Sequence, residues 1–340
     1  MTTATWNGGF GLYGAPENWD TDAVPGVGDI ATISSGEALA VFEDIPATVL
    51  LGATDPGTAP ALDLLFASAG TLTMPHDLPP PPYSPNTSPA QYGTLNAWGD
   101  SRVGLIDLGA FANMVRFAPP PYSHGSLFAA DNLTVNLGEG SALTAGFDVR
   151  EGSSLTVIGD DTSSFKAADS VIEGGKVVVA APLGGEGRIA MTNGTATYWG
   201  AADVGTLELG GAVGAGTTVD IRMGHLVIDQ PMRFQGQIDI RVDESAPGLP
   251  GSPYDYGVQD VVLRNLMATS YSFDDVSHVL TLFNSDEAVD QLRFTPDITA
   301  GSFGMSYPAI RIVQTGSDVS LQGYLAGSPT DPNAFPVHAT

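Results

Sequence analysis

Residues 133–158 contain the sequence LTVNLGEGSALTAGFDVREGSSLTVI, in which short segments alternate apolar and polar side chains. The clearest segments are Leu133–Leu137, Ala142–Ala145 and Ser154–Ile158, and glycine-rich turns separate them. Alternation with a period of two is typical of a strand with one buried face. This stretch therefore predicts short strands, each followed by a tight turn, at intervals of about ten residues.

The same rhythm continues on both sides of this stretch, and no comparable run has the 3.6-residue period of a helix. Repetition of a strand and a tight turn predicts an all-β fold, and specifically a right-handed parallel β-solenoid with a small additional β region at the C-terminal end. A β-sandwich or jelly roll gives a similar strand spacing and is the alternative. The further predicted strands are 30–33, 38–42, 176–180, 187–191, 195–199, 206–209, 218–222, 225–229, 237–242, 260–266, 278–283, 288–294, 309–313 and 319–324.

Proline marks the interruptions of this pattern. Proline cannot donate a hydrogen bond to a β-ladder, so we expect proline-rich excursions at 78–89 and 118–124 to leave the strand stack as loops or polyproline II arms. The predicted organisation is an N-terminal cap and first rung at 1–35, a solenoid at 36–242, a linker or loop at 243–257, a C-terminal β region at 258–326 and an irregular tail at 327–340.

The chain is strongly acidic, with 12 Lys and Arg residues against 38 Asp and Glu residues among 340 and a formal charge of −26. Nucleic-acid binding requires clustered basic side chains, so nucleic acid is excluded as a partner. No apolar run is long enough to span a bilayer, which predicts no membrane insertion. The absence of cysteine excludes disulfides, thiolate metal sites and cysteine nucleophiles.

A resemblance begins in the first 35 residues. Thr5-Trp-Asn-Gly-Gly-Phe-Gly11, Pro16-Glu-Asn-Trp-Asp20 and Val24-Pro-Gly-Val-Gly-Asp29 resemble the first coil of bacterial secreted β-helical passengers and adhesins. The resemblance implies that Trp6 and Trp19 cap the solenoid, and it carries no chemistry.

A second resemblance concerns 271–283 and 289–294. These residues resemble the segment that precedes a self-cleaving Hint domain, or a type I secretion signal, in large secreted proteins of alphaproteobacteria. The resemblance implies an extracellular or cell-surface location. It leaves open whether Thr340 is a natural, processed or artificial end.

Aspartate-rich turns are the candidate metal sites. Ca²⁺ takes six to eight oxygen ligands from carboxylates and carbonyls, so it is the one cofactor that we consider, and mere solvated turns are the alternative. No EF-hand loop is present, and the scattered histidines do not predict a zinc site. The candidate ligands are Asp20, Asp22, Asp29, Asp160, Asp161, Asp274 and Asp275.

Aromatic and proline residues are the other candidate contacts. Trp98 and Trp199 are candidates for stacking on sugar rings, with a role in the core as the alternative. Pro81 and Tyr83, together with Pro120 and Tyr122, belong to proline-rich arms and are candidates for self-association.

No motif predicts a reaction. The pair Asp160-Asp161 is similar to the carboxylates of β-helical polysaccharide hydrolases, but no phrase typical of those enzymes follows it. The sequence therefore predicts a non-catalytic extracellular structural protein, a self-associating fibre, matrix, sheath or adhesin subunit, whose partners are further copies of itself and extracellular polysaccharide. The alternatives are a carbohydrate-binding or carbohydrate-cleaving β-helix, and an inert secreted passenger.

Overall fold

The computed structural model describes residues 1–52, 60–73, 91–108, 131–150, 153–192, 205–222, 224–240, 259–274, 276–295, 307–326 and 334–336. Within these ranges the regular structure is β-strand apart from 3-10 turns at Pro16–Asn18 and Pro231–Arg233, which confirms the all-β prediction. The strands are β1 Thr3–Thr5, β2 Phe10–Leu12, β3 Ile30–Ile33, β4 Glu37–Val41, β5 Asp44–Ile45, β6 Thr48–Leu51, β7 Ala61–Leu65, β8 Ser68–Thr73, β9 Gln91–Trp98, β10 Asp100–Leu108, β11 Asp131–Leu137, β12 Ala142–Arg150, β13 Ser154–Ile158, β14 Ser164–Ala167, β15 Ser170–Glu173, β16 Lys176–Val179, β17 Leu183–Gly184, β18 Arg188–Thr192, β19 Gly205–Leu209, β20 Thr218–Ile221, β21 Gly224–Ile228, β22 Gln237–Ile240, β23 Gln259–Leu263, β24 Ser270–Asp274, β25 Val279–Asn284, β26 Glu287–Phe294, β27 Tyr307–Thr315, β28 Asp318–Ala326 and β29 Ala334–Pro336.

The strands form two long sheets, and the chain alternates between them. The first sheet has the order β1-β3-β6-β8-β10-β12-β15-β18-β20-β22-β26-β25-β24, and the second has the order β2-β4-β7-β9-β11-β13-β16-β19-β21-β23-β28-β27-β29. Up to β23 the ladders are parallel; Leu133 of β11, for example, lies opposite Gly93 of β9 and Leu155 of β13. Each return of the chain, which we call a coil, thus adds one strand to each sheet. Sandwiches and jelly rolls pair their strands antiparallel instead.

Alternation along each strand builds the core. Leu133, Val135 and Leu137 of β11 are buried, whereas Thr134 and Asn136 between them lie on the outer surface and are partly exposed. The buried apolar side chains form one cluster that runs from Ala4 to Leu321. The two sheets therefore share a single core, and in most strands alternate residues are left for the outside.

The ladder between β10 and β12 is irregular at Gly104, where glycines of neighbouring coils meet. The first half of β12 pairs with β14 and its second half pairs with β15. A Cβ atom on Gly104 of β10 would lie 2.7 Å from the carbonyl oxygen of Gly70, and one on Gly146 of β12 would lie 3.2 Å from that of Gly104. Only glycine allows backbones to approach this closely.

The N-terminal edge of the first sheet is covered by the chain itself. The amide of Asp20 donates to the carbonyl of Thr5 at 2.9 Å, and the amide of Thr5 donates to Asp20 Oδ1 at 2.7 Å. The buried rings of Trp6 and Trp19 meet edge to face, with centroids 5.2 Å apart. Trp19 Nε1 also donates to the carbonyl of Tyr13 at 2.8 Å. Because the backbone amide and carbonyl of Thr5 are occupied, this part of the edge is protected from pairing with another sheet.

The C-terminal strands continue both sheets with a change of direction. Strand β26 pairs parallel with β22, and then β25 and β24 follow antiparallel. In the second sheet β28 pairs antiparallel with β23, and β27 and β29 follow. None of the residues placed in the structure belongs to a helix with the length and apolar character that a membrane span requires.

The strands predicted between 133 and 324 match the observed ones to within a few residues wherever they fall in the described ranges. The alternation analysis missed β1, β2 and β6 to β10, as well as the short strands β5, β14, β15 and β17 and the edge strands β24 and β29. Strand β29 lies in the tail at 327–340 that was predicted to be irregular, and it is held there by antiparallel pairing with β27. Segments 78–89, 118–124 and 243–257, and the strand predicted at 195–199, lie outside the described residues.

Candidate functional site on the outer surface of the second sheet

Three exposed aromatic side chains lie on successive coils where strands of the second sheet end. Phe42 follows β4, Phe66 follows β7, and Trp98 is the last residue of β9; they are 74%, 50% and 38% exposed. The Phe42 and Phe66 rings stack with centroids 5.2 Å apart and planes 2° apart. The Phe66 ring rests against Gly99, and the Trp98 ring rests against Gly138. We call Phe42, Phe66 and Trp98 the aromatic row.

Both phenylalanines have a strained backbone. Phe42 has a φ of 51° and Phe66 a φ of 50°, both in the left-handed region. The next coil has a glycine at this position, Gly99, with a φ of 65°. Left-handed conformation costs a residue with a Cβ atom roughly 1–2 kcal/mol. One stacked aromatic pair returns about 0.5–1.5 kcal/mol. The rings therefore do not offset the strain of two residues, and glycine or asparagine would suit this corner better.

After each residue of the aromatic row the chain enters the first sheet, and a row of polar side chains lies there. Asp44 of β5 lies opposite Ser68 of β8, which lies opposite Arg102 of β10. The Ser68 hydroxyl donates to the Asp44 carboxylate. Asp44 and Arg102 are exposed. We call Asp44, Ser68 and Arg102 the polar row.

A ladder of amides lies on the other side of the aromatic row. Asn136 Nδ2 donates to Asn96 Oδ1 at 2.9 Å, and Asn96 Nδ2 donates to Asp63 Oδ1 at 2.6 Å. These three residues, which we call the amide ladder, stand at equivalent positions on β11, β9 and β7. The aromatic row is thus flanked on both sides by hydrogen-bonding groups.

Asp63 begins the amide ladder and is buried. Burial raises its pKa to about 6, and a hydrogen bond from protonated Asp63 to the neighbouring carboxyl Glu37 adds to this shift, while Asn96 opposes it. Two carboxyls that share a hydrogen bond are closer together than the roughly 5–5.5 Å of a retaining glycosidase pair. The contact between Glu37 and Asp63 therefore does not match the spacing of a hydrolytic site.

Farther along the second sheet the outer surface becomes charged. His225 of β21 lies opposite Asp260 of β23, and its Nδ1 atom contacts Asp260 Oδ1. The hydrogen bond with Asp260 raises the pKa of His225, although partial burial of the ring opposes the shift. Thr206 of β19 is the next residue in this column.

A second charged group lies beside this pair. Arg264 Nη1 is 2.9 Å from Glu208 Oε1 and 2.9 Å from Asp229 Oδ1, and Lys176 Nζ is 3.7 Å from Glu208 Oε2. Desolvation lowers the pKa of Arg264, and the two carboxylates more than compensate. The group is a network of partly exposed ion pairs.

The first sheet carries a more deeply buried ion-pair cluster. Arg188 Nη2 lies 2.7 Å from Asp220 Oδ2 and 2.7 Å from Asp239 Oδ2, and both carboxylates are buried. Arg222 Nε lies 3.4 Å from the same Asp220 oxygen. Paired burial of this kind is structural, because it satisfies the charges of neighbouring coils.

Two of the candidate calcium ligands near the N-terminus accept hydrogen bonds from backbone amides. Asp20 caps Thr5, and Asp29 accepts from the amides of Thr2 at 2.7 Å and Gly26 at 3.1 Å. These bonds lower the pKa of Asp29. Asp22 is exposed, with a left-handed φ of 51°.

The remaining candidates are also turn residues. Asp160 Oδ1 accepts from the amides of Thr162 and Ser163, each at 2.9 Å, and from the Thr162 hydroxyl, and these bonds lower the pKa of Asp160. Asp161 lies 3.3 Å from Arg233 Nη1. Asp274 Oδ1 accepts from the amide of Val276 at 2.9 Å, which lowers its pKa.

Across the described ranges no three His, Cys, Asp or Glu side chains gather into a group that could hold a metal ion. Calcium binding stays a prediction. The other predicted contacts, Asp275, Pro81, Tyr83, Pro120, Tyr122 and Trp199, lie outside the described residues.

Of the predicted stacking residues, the structure describes Trp98 and places it in the aromatic row. The sequence analysis missed Phe42 and Phe66, which lie 24 residues apart in the chain and meet only through the register of β4 and β7. The sequence did contain a local indication that these side chains are exposed, since each phenylalanine directly follows a strand whose last residue is apolar and faces outward.

We compared the chain with known protein families, with curated proteins and with solved structures, and none of these comparisons finds a match.

Proposed function

We propose that this chain is a right-handed parallel β-solenoid that works outside the cell as an adhesive structural unit without catalysis. The observation that carries the proposal is the stack of parallel strands from β1 to β23, most of which turn alternate residues outward. Such a stack is a rigid rod that presents one extended surface, as solenoid proteins do for binding. The charge of −26 suits a soluble, exposed protein.

The covered N-terminal edge favours the adhesin form of this proposal over the fibre form. End-to-end pairing of identical rods is heterologous and needs two open, complementary ends. The contacts between Asp20 and Thr5 occupy part of the first-sheet edge at one of those ends. Mutual repulsion of chains that each carry −26 opposes lateral packing as well.

A carbohydrate-cleaving function is less well supported. Asp160 has a lowered pKa, so it is ionised and cannot serve as a general acid near neutral pH. Asp63 has a raised pKa but is buried against Glu37. The hydrogen-bonded carboxyls of Glu37 and Asp63 are closer together than the carboxylate pair that glycoside hydrolysis requires.

The test joins electron microscopy to an adhesion assay. Purified protein is viewed in negative stain with millimolar Ca²⁺ and with EDTA, and its adhesion to immobilised bacterial cells and extracellular matrix is measured. Single rods that adhere support the adhesin form. Ordered filaments would replace it by the fibre form, and filaments that EDTA dissolves would support the predicted calcium sites. Single rods that adhere to no surface would contradict the proposal.

A further inference from the structure

We propose that the aromatic row and the polar groups on either side of it form a binding site for an uncharged polysaccharide built of pyranose rings. The inference rests on the proposed adhesive function and names the ligand of that function.

The first argument is that stability does not explain the rings. Phe42 and Phe66 occupy left-handed positions that suit glycine, and Gly99 takes that position on the next coil. Both side chains are nevertheless large, apolar and exposed. Backbone strain that the fold does not need is concentrated at functional sites. A ligand that uses the rings would account for them.

The second argument is the chemistry around the rings. One face of the Phe42 ring lies against Phe66, and its 74% exposure leaves the opposite face open. A pyranose ring offers an apolar face of C–H groups and a rim of hydroxyls. The open face of Phe42 can stack on the C–H face of the sugar. The polar row, with the exposed carboxylate of Asp44 and guanidinium of Arg102, can hydrogen-bond to its hydroxyls.

The third argument is repetition. Trp98 lies two coils from Phe42 and one position earlier in its coil, opposite Leu65. Since neighbouring strands are about 4.8 Å apart, a second aromatic platform stands about 10 Å away along the stack. Asn96 and Asn136 of the amide ladder extend in the same direction. A ligand with repeating rings can reach several of these groups at once, which a single small molecule cannot do.

Charge selects the uncharged class of polysaccharide. The chain carries −26, and Arg102 is the one cation of the polar row, so anionic polysaccharides and nucleic acids are repelled. A second copy of this chain would bring a further −26 to the same surface. A neutral, hydroxyl-rich polymer meets no such penalty.

The experiment is affinity electrophoresis of the full chain through gels that contain neutral polysaccharides, namely β-glucan, xylan and galactan, with alginate as the anionic comparison. We expect retardation by at least one neutral polymer and none by alginate. The double variant Phe42→Asn, Phe66→Asn should weaken that affinity at least tenfold and unfold at the same or a higher temperature, because asparagine tolerates the left-handed region.

Two matched variants serve as controls. Phe42→Tyr, Phe66→Tyr keeps both rings and should bind as the wild type does. Met232→Gln removes a different exposed apolar side chain, 79% exposed, and should also leave binding unchanged. Unchanged affinity in the folded asparagine variant would overturn the inference, as would a self-association in sedimentation velocity that this variant abolishes.

The two proposals fail separately. A wild-type protein that adheres to cells but is not retarded by any neutral polysaccharide would overturn the inference and leave the adhesive function standing. A protein that does neither would overturn both.

Discussion

The outer surface of the second sheet differs between its two halves, although the backbone beneath is the same. From β4 to β11 the outward positions hold the amide ladder and the aromatic row, and Asp63 is held largely protonated below a pH of about 6. From β16 to β23 they hold ion pairs, among them His225 with Asp260 and Arg264 with Glu208. A parallel stack determines which outward residues become neighbours, but it does not restrict whether those residues are polar, charged or aromatic. One half, which we call the amide half, carries amides and aromatic rings suited to a ligand, and the other, which we call the charged half, joins its own coils through ion pairs.

The largest expected effect comes from the ion-pair cluster of the first sheet, which lies on the same coils as the charged half of the second sheet. Arg188→Ala would leave the buried carboxylates of Asp220 and Asp239 without their shared guanidinium, so we expect the free energy of unfolding to fall by about 3 kcal/mol. Guanidinium chloride denaturation measures this value. In the amide half, Asn96→Ala removes two side-chain hydrogen bonds and should cost about 1 kcal/mol. Equal losses for the two variants would show that the buried ion pairs and the amide ladder do not differ in this way.

The next prediction concerns Asp63. Its pKa is raised in the folded protein, so folding favours its protonated form, and stability falls as pH rises from the unfolded value of 3.8 through about 6. Asp63→Asn should therefore increase the free energy of unfolding by roughly 1–3 kcal/mol at pH 8, and hardly at all at pH 3. Urea titrations at both pH values test this. A gain of the same size at pH 3 would contradict the pKa shift as its cause.

His225 should respond in a different pH window. Its pKa is raised by Asp260, so the ion pair contributes stability below the unfolded pKa of 6.5 and loses that contribution as pH rises through the higher folded value. His225→Gln should cost about 1 kcal/mol at pH 5.5 and less at pH 9, because the pair is partly exposed. A ¹H–¹⁵N NMR titration of the imidazole gives the pKa directly. A titration midpoint below 6.5 would disprove the coupling.

The smallest effect is expected from the partly exposed network. Arg264→Ala should reduce the free energy of unfolding by less than about 1 kcal/mol in low salt, and by nothing measurable in 1 M NaCl. Asn136→Ala, the matching variant in the amide half, should lower the free energy of unfolding slightly, by an amount that salt does not alter. Thermal unfolding of both variants at two salt concentrations makes the comparison. A salt-independent Arg264→Ala effect would mean that packing of the arginine stem, not charge, stabilises this region.

The sequence predicted the strands best where outward residues are polar. In β13 the segment Ser154–Ile158 alternates clearly, and its bounds were predicted as observed. In β7 the outward positions include Ala61 and Leu65, so the apolar run ALDLL hides the alternation and the strand was missed. Burial on both faces makes a strand look continuous rather than periodic.

The site itself depends on contacts that local patterns do not contain. Asn96 lies 33 residues from Asp63 and 40 from Asn136, while His225 lies 35 from Asp260. Because coil length varies, no fixed repeat in the sequence brings these partners together. The predicted Asp-rich turns, by contrast, were visible because turn chemistry involves only two or three neighbouring residues.

The glycine contacts in the first sheet have a consequence for engineering. Gly104 and Gly146 sit against backbone of the neighbouring coil, so neither position has room for a side chain. At the passage from the first sheet to the second, by contrast, the number of residues differs widely between coils: three residues join β12 to β13, whereas the segment between Leu108 of β10 and Asp131 of β11 is much longer. Foreign peptides grafted into that passage should leave the coil stack intact. The protein could therefore serve as a display scaffold that accepts inserted peptides between β10 and β11 but not at the glycine contacts of the first sheet.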